Sequence, residues 1–312
     1  MDIVFMGTPH FSVPSLRKIA ASDSGLQIKL VVTSPEKPRQ SARSKPEPTP
    51  VKAVAMAFGL PVYEVEDVKS PEFLQKINEI RPDVIVVVAF RVLPPEVFTA
   101  AKIGTFNLHA SLLPKYRGAA PINWSIINGD SETGVTTFFI QQKVDTGNII
   151  LQKKTEIGEH ETATELAVRL SEIGGDAVLE TLQMIQNGAV QLQVQDNALA
   201  TKAPKLFKEN TRIDWAAPAK KVNDMIRGLA ERPTAWTTMN GKSVKIFQAA
   251  PCELSPVQAL AAGEWLIQDG KLYVGCGEGV LDVKRLQFEG KKQMEVEVFL
   301  RGFRPNGDER FE

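Results

Sequence analysis

The chain has 312 residues, 43% of them hydrophobic, and its 37 basic side chains balance 37 acidic ones. That length suggests about two domains with proper cores, and zero net charge excludes whole-chain attraction to nucleic acid, leaving local basic patches to do any such binding. Two cysteines and three histidines argue against a disulfide framework and a Cys/His zinc site, and fit a reducing cytoplasm. The first residues, Met1-Asp2-Ile3-Val4-Phe5, run directly into strand-like sequence. They lack the basic start and long apolar segment of a signal peptide, and no later stretch is long enough to span a membrane.

Residues 3–6 read as a buried strand, Gly7-Thr8-Pro9 as a break, and 11–21 as a helix with Val13, Leu16, Ile19 and Ala20 near helical spacing. Strand, glycine turn and helix open a doubly wound α/β domain. One glycine stands there rather than G-x-G-x-x-G, so a dinucleotide pyrophosphate site is not supported. Residues 28–32 form the next expected strand. The stretch 34–52 follows, rich in proline, with Lys37, Arg39, Arg43, Lys45 and Lys52 against Glu36 and Glu47. Two readings fit it: a solvated loop, or a basic finger that orders on a phosphate backbone. A helix over 51–58, a short strand over 61–63 and a helix over 71–80 lead to the apolar strand 84–89. The βα alternation implies a mostly parallel sheet with helices on both faces.

Pro94-Pro95 opens a short helix, Gly104 ends it, and the chain re-enters the sheet at Thr105-Phe106. It then delivers Asn107 and His109, two residues apart and hence on one face of a strand. A carboxamide donor beside an imidazole suits carbonyl chemistry, one group steadying an oxyanion and the other moving protons. A buried core histidine next to a turn asparagine fits the same pattern. A helix over 119–127, a turn at Asn128-Gly129-Asp130, a strand over 134–140 and a strand over 149–153 come next. The tight turn between those strands holds Asp145, either an Asx-turn residue or a carboxylate that orients His109. Thr162 and Glu165 form a capping-box pattern for a helix over 162–187. Residues 190–208 lose periodicity and carry Lys202, Lys205 and Lys208, reading as a linker between a domain over 1–189 and one over 209–312. In the latter, a helix over 219–229 precedes short strands at 235–239, 243–249, 263–268, 271–275 and 280–286. With Asn240-Gly241 and Asp269-Gly270 as hairpin turns, these suggest a small OB-like β-barrel.

Assembled, these motifs resemble the folate-dependent formyltransferases: Phe5-Met6-Gly7-Thr8-Pro9, the stretch 107–121, Gly134-Val135-Thr136 and Asp145-Thr146-Gly147. Arg212-Ile213-Asp214-Trp215, Gly290-Lys291-Lys292-Gln293-Met294 and Phe299-Leu300-Arg301-Gly302 are similar to the methionyl-tRNA branch. There are two departures: the basic loop lacks the family's Gly-Arg-Gly core, and Phe90-Arg91 stands where Tyr-Gly is usual.

The resemblance implies a Rossmann-like catalytic domain followed by the OB-like one. It also implies formyl transfer from 10-formyltetrahydrofolate, as co-substrate and without a metal, to the amine of initiator methionyl-tRNA, by a cytoplasmic monomer. It makes Asn107, His109 and Asp145 the expected catalytic set. Phe90, Arg91, Val92 and Leu93, with Ser111, Leu112, Leu113, Pro114 and Gly118, are the expected walls of the pterin site. Arg39, Arg43, Lys45, Lys205 and Lys208 are the expected tRNA contacts. Formyl transfer to a small amine, such as glycinamide ribonucleotide or an amino sugar nucleotide, is the alternative. A folate- or RNA-binding protein without catalysis is a third class, against which Asn107, His109 and Asp145 argue.

Overall fold

The strand β1 (Asp2–Gly7) is apolar on both faces, and Ile3, Val4, Phe5 and Met6 are all fully buried. Parallel strands covered by helices on both sides read as such continuous runs. The computed structural model describes residues 1–36, 47–252, 260–304 and 310–312. They form two compact units, one from residues 1–121, 133–155 and 167–203, the other from 122–132, 156–166 and 204–312.

The first unit continues with β2 (Gln27–Thr33), β3 (Val62–Glu64), β4 (Val84–Val88) and β5 (Gly104–His109). The two-residue strand β6 (Arg117–Gly118) precedes β7 (Glu132–Phe139) and β8 (Ile149–Glu156). Seven of these form one sheet in the order β3-β2-β1-β4-β5-β7-β8. The pairings from β3 through β5 are parallel and β5 with β7 is antiparallel. This is the expected mostly parallel α/β sheet.

Helices α1 (Val13–Ala20), α2 (Pro50–Ala57), α3 (Pro71–Ile80) and α4 (Pro95–Phe98) connect the strands. Spacing predicts the first helix over 11–21, yet residues His10–Ser12 wind as a 3-10 turn before it. Pro14 lacks the N–H that a helix interior needs, so the α-helix starts beside it. Thr49 caps α2, its Oγ1 accepting from the Lys52 amide at 3.2 Å. The helix α5 (Pro121–Ile127) precedes β7, and the long α6 (Ala163–Gln186) follows β8. The Thr162 amide donates to Glu165 Oε2 at 2.9 Å, and the Glu165 amide returns to Thr162 Oγ1 at 3.3 Å. The Thr162 amide, and its Oγ1 donating to Glu165 Oε2 at 2.7 Å, hold the Glu165 carboxyl below its ordinary range.

Cross-strand register decides which face carries the polar residues of β5. Thr105 lies opposite Ile85, and Asn107 opposite Val87. Ile85 and Val87 pack with Phe73 and Ile77 of α3, and Thr105 Oγ1 donates to the Phe98 carbonyl of α4 at 2.7 Å. Leu108 points the other way: a Cβ on Gly174 of α6 would lie 2.6 Å from its Cδ2. Asn107 and His109 therefore share the α3/α4 side by the two-residue period of the strand. Phe106, on the opposite face, is fully buried. Phe106→Ala should cost about 3–5 kcal/mol of unfolding free energy. Val168→Ala, at a position 64% exposed, should stay within about 0.5 kcal/mol. Urea denaturation of both variants checks the contrast.

The second unit contains α7 (Ala219–Leu229) and strands β10 (Ala235–Met239), β11 (Lys242–Cys252), β12 (Trp265–Gln268), β13 (Lys271–Gly275) and β14 (Val280–Phe288). The two-stranded pairing of β6 with β9 (Lys202–Ala203) belongs to the first unit. With β15 (Met294–Glu295), the second unit's strands form a six-stranded sheet, antiparallel at every pairing. Asn240, Gly241, Asp269 and Gly270 all take positive φ, the backbone that tight hairpins require. The core gathers Trp215, Leu229, Ile246, Leu272, Leu281 and Phe311, with Trp215 stacked on Phe311 at 5.4 Å. The helix α8 (Val296–Gly302) adds Phe299, stacked on Phe288 at 4.8 Å. No described helix is long and apolar enough to cross a membrane.

Candidate active site

From β1 the chain moves outward to β2 and β3, then returns to the other side for β4 and β5. Such a reversal opens a crevice at the carboxyl ends of the strands. Gly7, Val88 and His109 are the last residues of β1, β4 and β5. Ser12 Oγ donates to the Val88 carbonyl at 2.7 Å, tying the turn after β1 to the end of β4. A Cβ on Gly7 would stand 2.8 Å from that of Ser12, so this approach needs glycine.

His109 is buried, and its Nε2 lies 2.8 Å from the Tyr116 carbonyl. A carbonyl only accepts, so Nε2 donates and must carry a proton. The other ring nitrogen, Nδ1, stands 3.8 Å from Asp145 Oδ2. That separation is beyond a hydrogen bond but within ion-pair range when both ring nitrogens are protonated. Asp145 comes from the turn between β7 and β8 and is 9% exposed. Its Oδ2 accepts the Gly118 amide at 2.9 Å, and its φ is +53°. Asp tolerates this left-handed backbone better than most residues because its short polar side chain bonds nearby groups. Two residues on, Gly147 packs so closely that a Cβ would fall 1.6 Å from the Phe139 carbonyl.

Asn107 is half-buried, and its carboxamide has no hydrogen bond to another described residue. It stands on the same face as His109, so a donor without a partner among the described residues sits beside an imidazole whose ring nitrogens face protein acceptors. The arrangement suits a carbonyl electrophile: Asn107 can donate to its oxygen, while His109 and Asp145 supply a proton-holding pair. Among the described residues no three His, Cys, Asp or Glu side chains gather as metal ligands. Burial pushes the Cys276 thiol up to about 12, which leaves it un-ionised and unreactive at neutral pH.

The stretch after His109 is held by its own bonds. Ser111 Oγ donates to the Lys115 carbonyl at 2.6 Å. Thr136 Oγ1 donates to the Ser111 carbonyl at 2.6 Å and accepts from the Leu113 amide at 3.1 Å. Gln152 Nε2 donates to the Leu113 carbonyl at 2.9 Å. Ser111 and Leu113 are buried, Leu113 against Phe138 and Ile149, while Leu112 and Pro114 are partly exposed. Gly118 has φ +130°, and a Cβ there would lie 2.5 Å from the Ala203 carbonyl. After β4, Ala89 turns at φ +46°. Phe90 and Leu93 pack into the core, Arg91 donates to the Glu66 carbonyl, and Val92 is 74% exposed.

Residues 193–203 run alongside this loop. Gln193 pairs with Ile149, and β9 lies parallel to β6, Lys202 opposite Arg117 and Ala203 opposite Gly118. Gln195 bonds the Asp145 turn and Arg117, and Asn197 Oδ1 accepts from Arg117 Nη1 at 2.9 Å. Thr136, Gln152, Arg117 and Gln195 are absent from the expected site residues. Arg117 and Thr136 lie in the motif stretches 107–121 and 134–136 with no role assigned there, Gln152 and Gln195 lie in none, and the partners of all four are distant in sequence. In the second unit, exposed Lys205 sits 5.5 Å over the Phe207 ring and exposed Lys208 5.0 Å over the Trp236 ring. Arg39, Arg43 and Lys45 lie outside the described residues.

A family model described as formyl transferase matches residues 1–182, and one described as formyl transferase, C-terminal domain, matches 205–304. The chain is 56% identical to the methionyl-tRNA formyltransferase of Chlorobium luteolum, over 98% of each protein. The chain belongs to the methionyl-tRNA formyltransferase family. A member from Bacteroides thetaiotaomicron is 42% identical over 97% of this chain and 96% of its own. Outside this family, the N-formyltransferase from Helicobacter canadensis, solved with folinic acid and dTDP-3-aminofucose, shares the fold. Its TM-score is 0.69 at 18% identity, covering 94% of this chain and 99% of that one. HypX from Aquifex aeolicus in complex with tetrahydrofolic acid gives a TM-score of 0.61 at 20% identity, covering 96% of this chain and 46% of that one.

Proposed function

We propose that the chain transfers the formyl group of 10-formyltetrahydrofolate to the α-amine of initiator methionyl-tRNA, with Asn107, His109 and Asp145 as its catalytic set. The observation that carries this reading is identity of 56% across 98% of both chains to a methionyl-tRNA formyltransferase, through both units. The 18% identity to a sugar N-formyltransferase supports the fold alone.

When bound, 10-formyltetrahydrofolate supplies a formyl carbonyl as the electrophile. The amine of the esterified methionine adds to that carbon, and the oxygen gains negative charge. Asn107 donates an N–H to this oxygen, the arrangement by which a prepositioned dipole stabilises developing charge. His109 takes the proton that the amine loses, with the Asp145 carboxylate balancing the imidazolium. It returns that proton to the folate nitrogen as the bond from the formyl carbon to that nitrogen breaks, the oxyanion collapses to the new formamide and tetrahydrofolate leaves. The Gly118 amide fixes that carboxylate at 2.9 Å. Phe90–Leu93 and 111–118 flank the strand ends where the pterin is expected, and the enzyme acts as a cytoplasmic monomer. The test is formylation of methionyl-tRNA with labelled formyl-folate, run beside glycinamide ribonucleotide and a dTDP-amino sugar. Label passing to either small amine and not to the tRNA would replace this reading with the small-amine alternative.

Lys205 and Lys208, each over an aromatic ring, support tRNA contact in the second unit, since cations interleaved with aromatics suit phosphates and bases together. Arg43 and Lys45 lie in a sequence with excess positive charge. Replacing both by Ala should weaken tRNA binding and flatten its log–log salt dependence by about one to two units, since each lost phosphate contact removes roughly 0.7–0.9. Superimposable salt titrations of the variant and wild type would remove both residues from the tRNA contacts.

A further inference from the structure

Gln195 lies in a stretch without periodicity, yet its side chain is among the buried polar groups at 6% exposure. Its Nε2 donates to the Asp145 carbonyl at 3.0 Å and the Gly147 carbonyl at 2.8 Å. Its Oε1 accepts from Arg117 Nη2 at 2.7 Å and Nε at 3.1 Å. Arginine only donates and a backbone carbonyl only accepts, so the orientation of the carboxamide is fixed, and both its donors and both its acceptor sites are used.

Those partners flank the candidate catalytic pair on both sides. Tyr116, next to Arg117, provides the carbonyl that receives His109 Nε2, and Gly118, on its other side, provides the amide that holds Asp145 Oδ2. One buried carboxamide thus joins the turn carrying Asp145 to the segment 116–118 that carries both supports. The turn also has a left-handed Asp145, a conformation that persists only where surrounding bonds hold it. From this bracing we propose that Gln195 is a positioning residue for the His109–Asp145 pair, acting through the Asp145–Gly147 backbone and Arg117. It rests on the reading of that pair as catalytic in formyl transfer. Asn197, on the other edge of the Arg117 guanidinium, limits how far Arg117 moves when Gln195 is lost.

The experiment is a double-mutant cycle on the full chain, with kcat and KM for formylation of methionyl-tRNA. Gln195→Ala should lower kcat by about 10- to 100-fold and leave both KM values within about threefold, because only the geometry of the reacting pair changes. In an Asp145→Ala background, the same substitution should cost less than about twofold more, the non-additivity expected of residues acting as one unit. Gln195→Glu keeps the size and the acceptor toward Arg117 but sets a carboxylate against two carbonyls. It should lose as much kcat as Gln195→Ala. Thermal melts and tetrahydrofolate binding identify any variant that fails to fold, and the second variant then carries the test. Losses that multiply across the cycle would overturn the inference. So would wild-type kcat in either folded Gln195 variant, or an effect confined to KM. A wild-type chain that does not formylate methionyl-tRNA would defeat the functional reading itself. A wild type that formylates, with Asp145→Ala impaired and the Gln195 variants unaffected, would defeat only the role of Gln195.

Discussion

His109→Ala is expected to lower kcat for formylation by about 10²- to 10⁴-fold, the range for removing a positioned acid–base group. Tetrahydrofolate affinity should stay within about threefold, since the loss falls on the chemical step rather than on binding. The expectation rests on two contacts. Nε2 donates to the Tyr116 carbonyl at 2.8 Å, which fixes the ring and its tautomer. Nδ1 faces Asp145 Oδ2 at 3.8 Å, so the carboxylate opposes the positive charge that the ring acquires in accepting a proton. Asp145→Asn separates charge from shape. The new amide oxygen can still accept the Gly118 N–H, but the negative charge is gone. If charge is what matters, Asp145→Asn should lose about 10²-fold or more in kcat, nearly as much as Asp145→Ala. Steady-state kinetics with saturating folate and a titration of methionyl-tRNA distinguishes the outcomes. Near-wild-type turnover in both His109→Ala and Asp145→Ala would remove the pair from the catalytic set. Full activity in Asp145→Asn alone would reduce Asp145 to a bracket for the Gly118 amide.

Asn107→Ala should cost about 10²- to 10³-fold in kcat, the scale for losing one donor to an oxyanion. Its carboxamide has no hydrogen bond to another described residue, while His109 beside it is engaged by Tyr116 and Asp145. A donor without a partner among the described residues, next to a held imidazole, is therefore the group expected to meet the carbonyl oxygen. Asn107→Asp provides a sharper version, because it keeps the shape and places an acceptor where charge develops. Its kcat should fall below that of Asn107→Ala. A loss seen only in KM for the folate, with kcat intact in single-turnover measurements, would make Asn107 a binding residue. The residual rate after loss of a proton-transferring group comes from the oxyanion donor and binding, so Asn107→Ala should cut further into the activity left in His109→Ala.

The elements that the sequence determined unaided are those governed by near neighbours in the chain. The Val84–Val88 run is a strand buried throughout, as apolar β-branched residues between helical layers require. Asn240-Gly241 and Asp269-Gly270 turn with positive φ as those residue pairs favour. Asn107 and His109 share a face because a strand alternates every two residues, whatever surrounds it. The motif resemblance likewise sits in short contiguous stretches, and it indicated the family before any coordinate did. What only the tertiary structure decided is which distant groups meet at the end of β5. Asp145 lies in a turn that composition alone reads as an ordinary Asx turn, and sheet closure brings it within 3.8 Å of His109. Tyr116 presents a carbonyl, a group every residue has, so no side-chain pattern could mark it as the partner of Nε2. Gln195 is the extreme case. Its stretch has no period and reads as polar linker, yet it is buried because two carbonyls of the turn between β7 and β8 and the Arg117 guanidinium of β6 satisfy its carboxamide. A buried polar group is stable only when all its partners are in place, and those partners exist only once the whole sheet has closed.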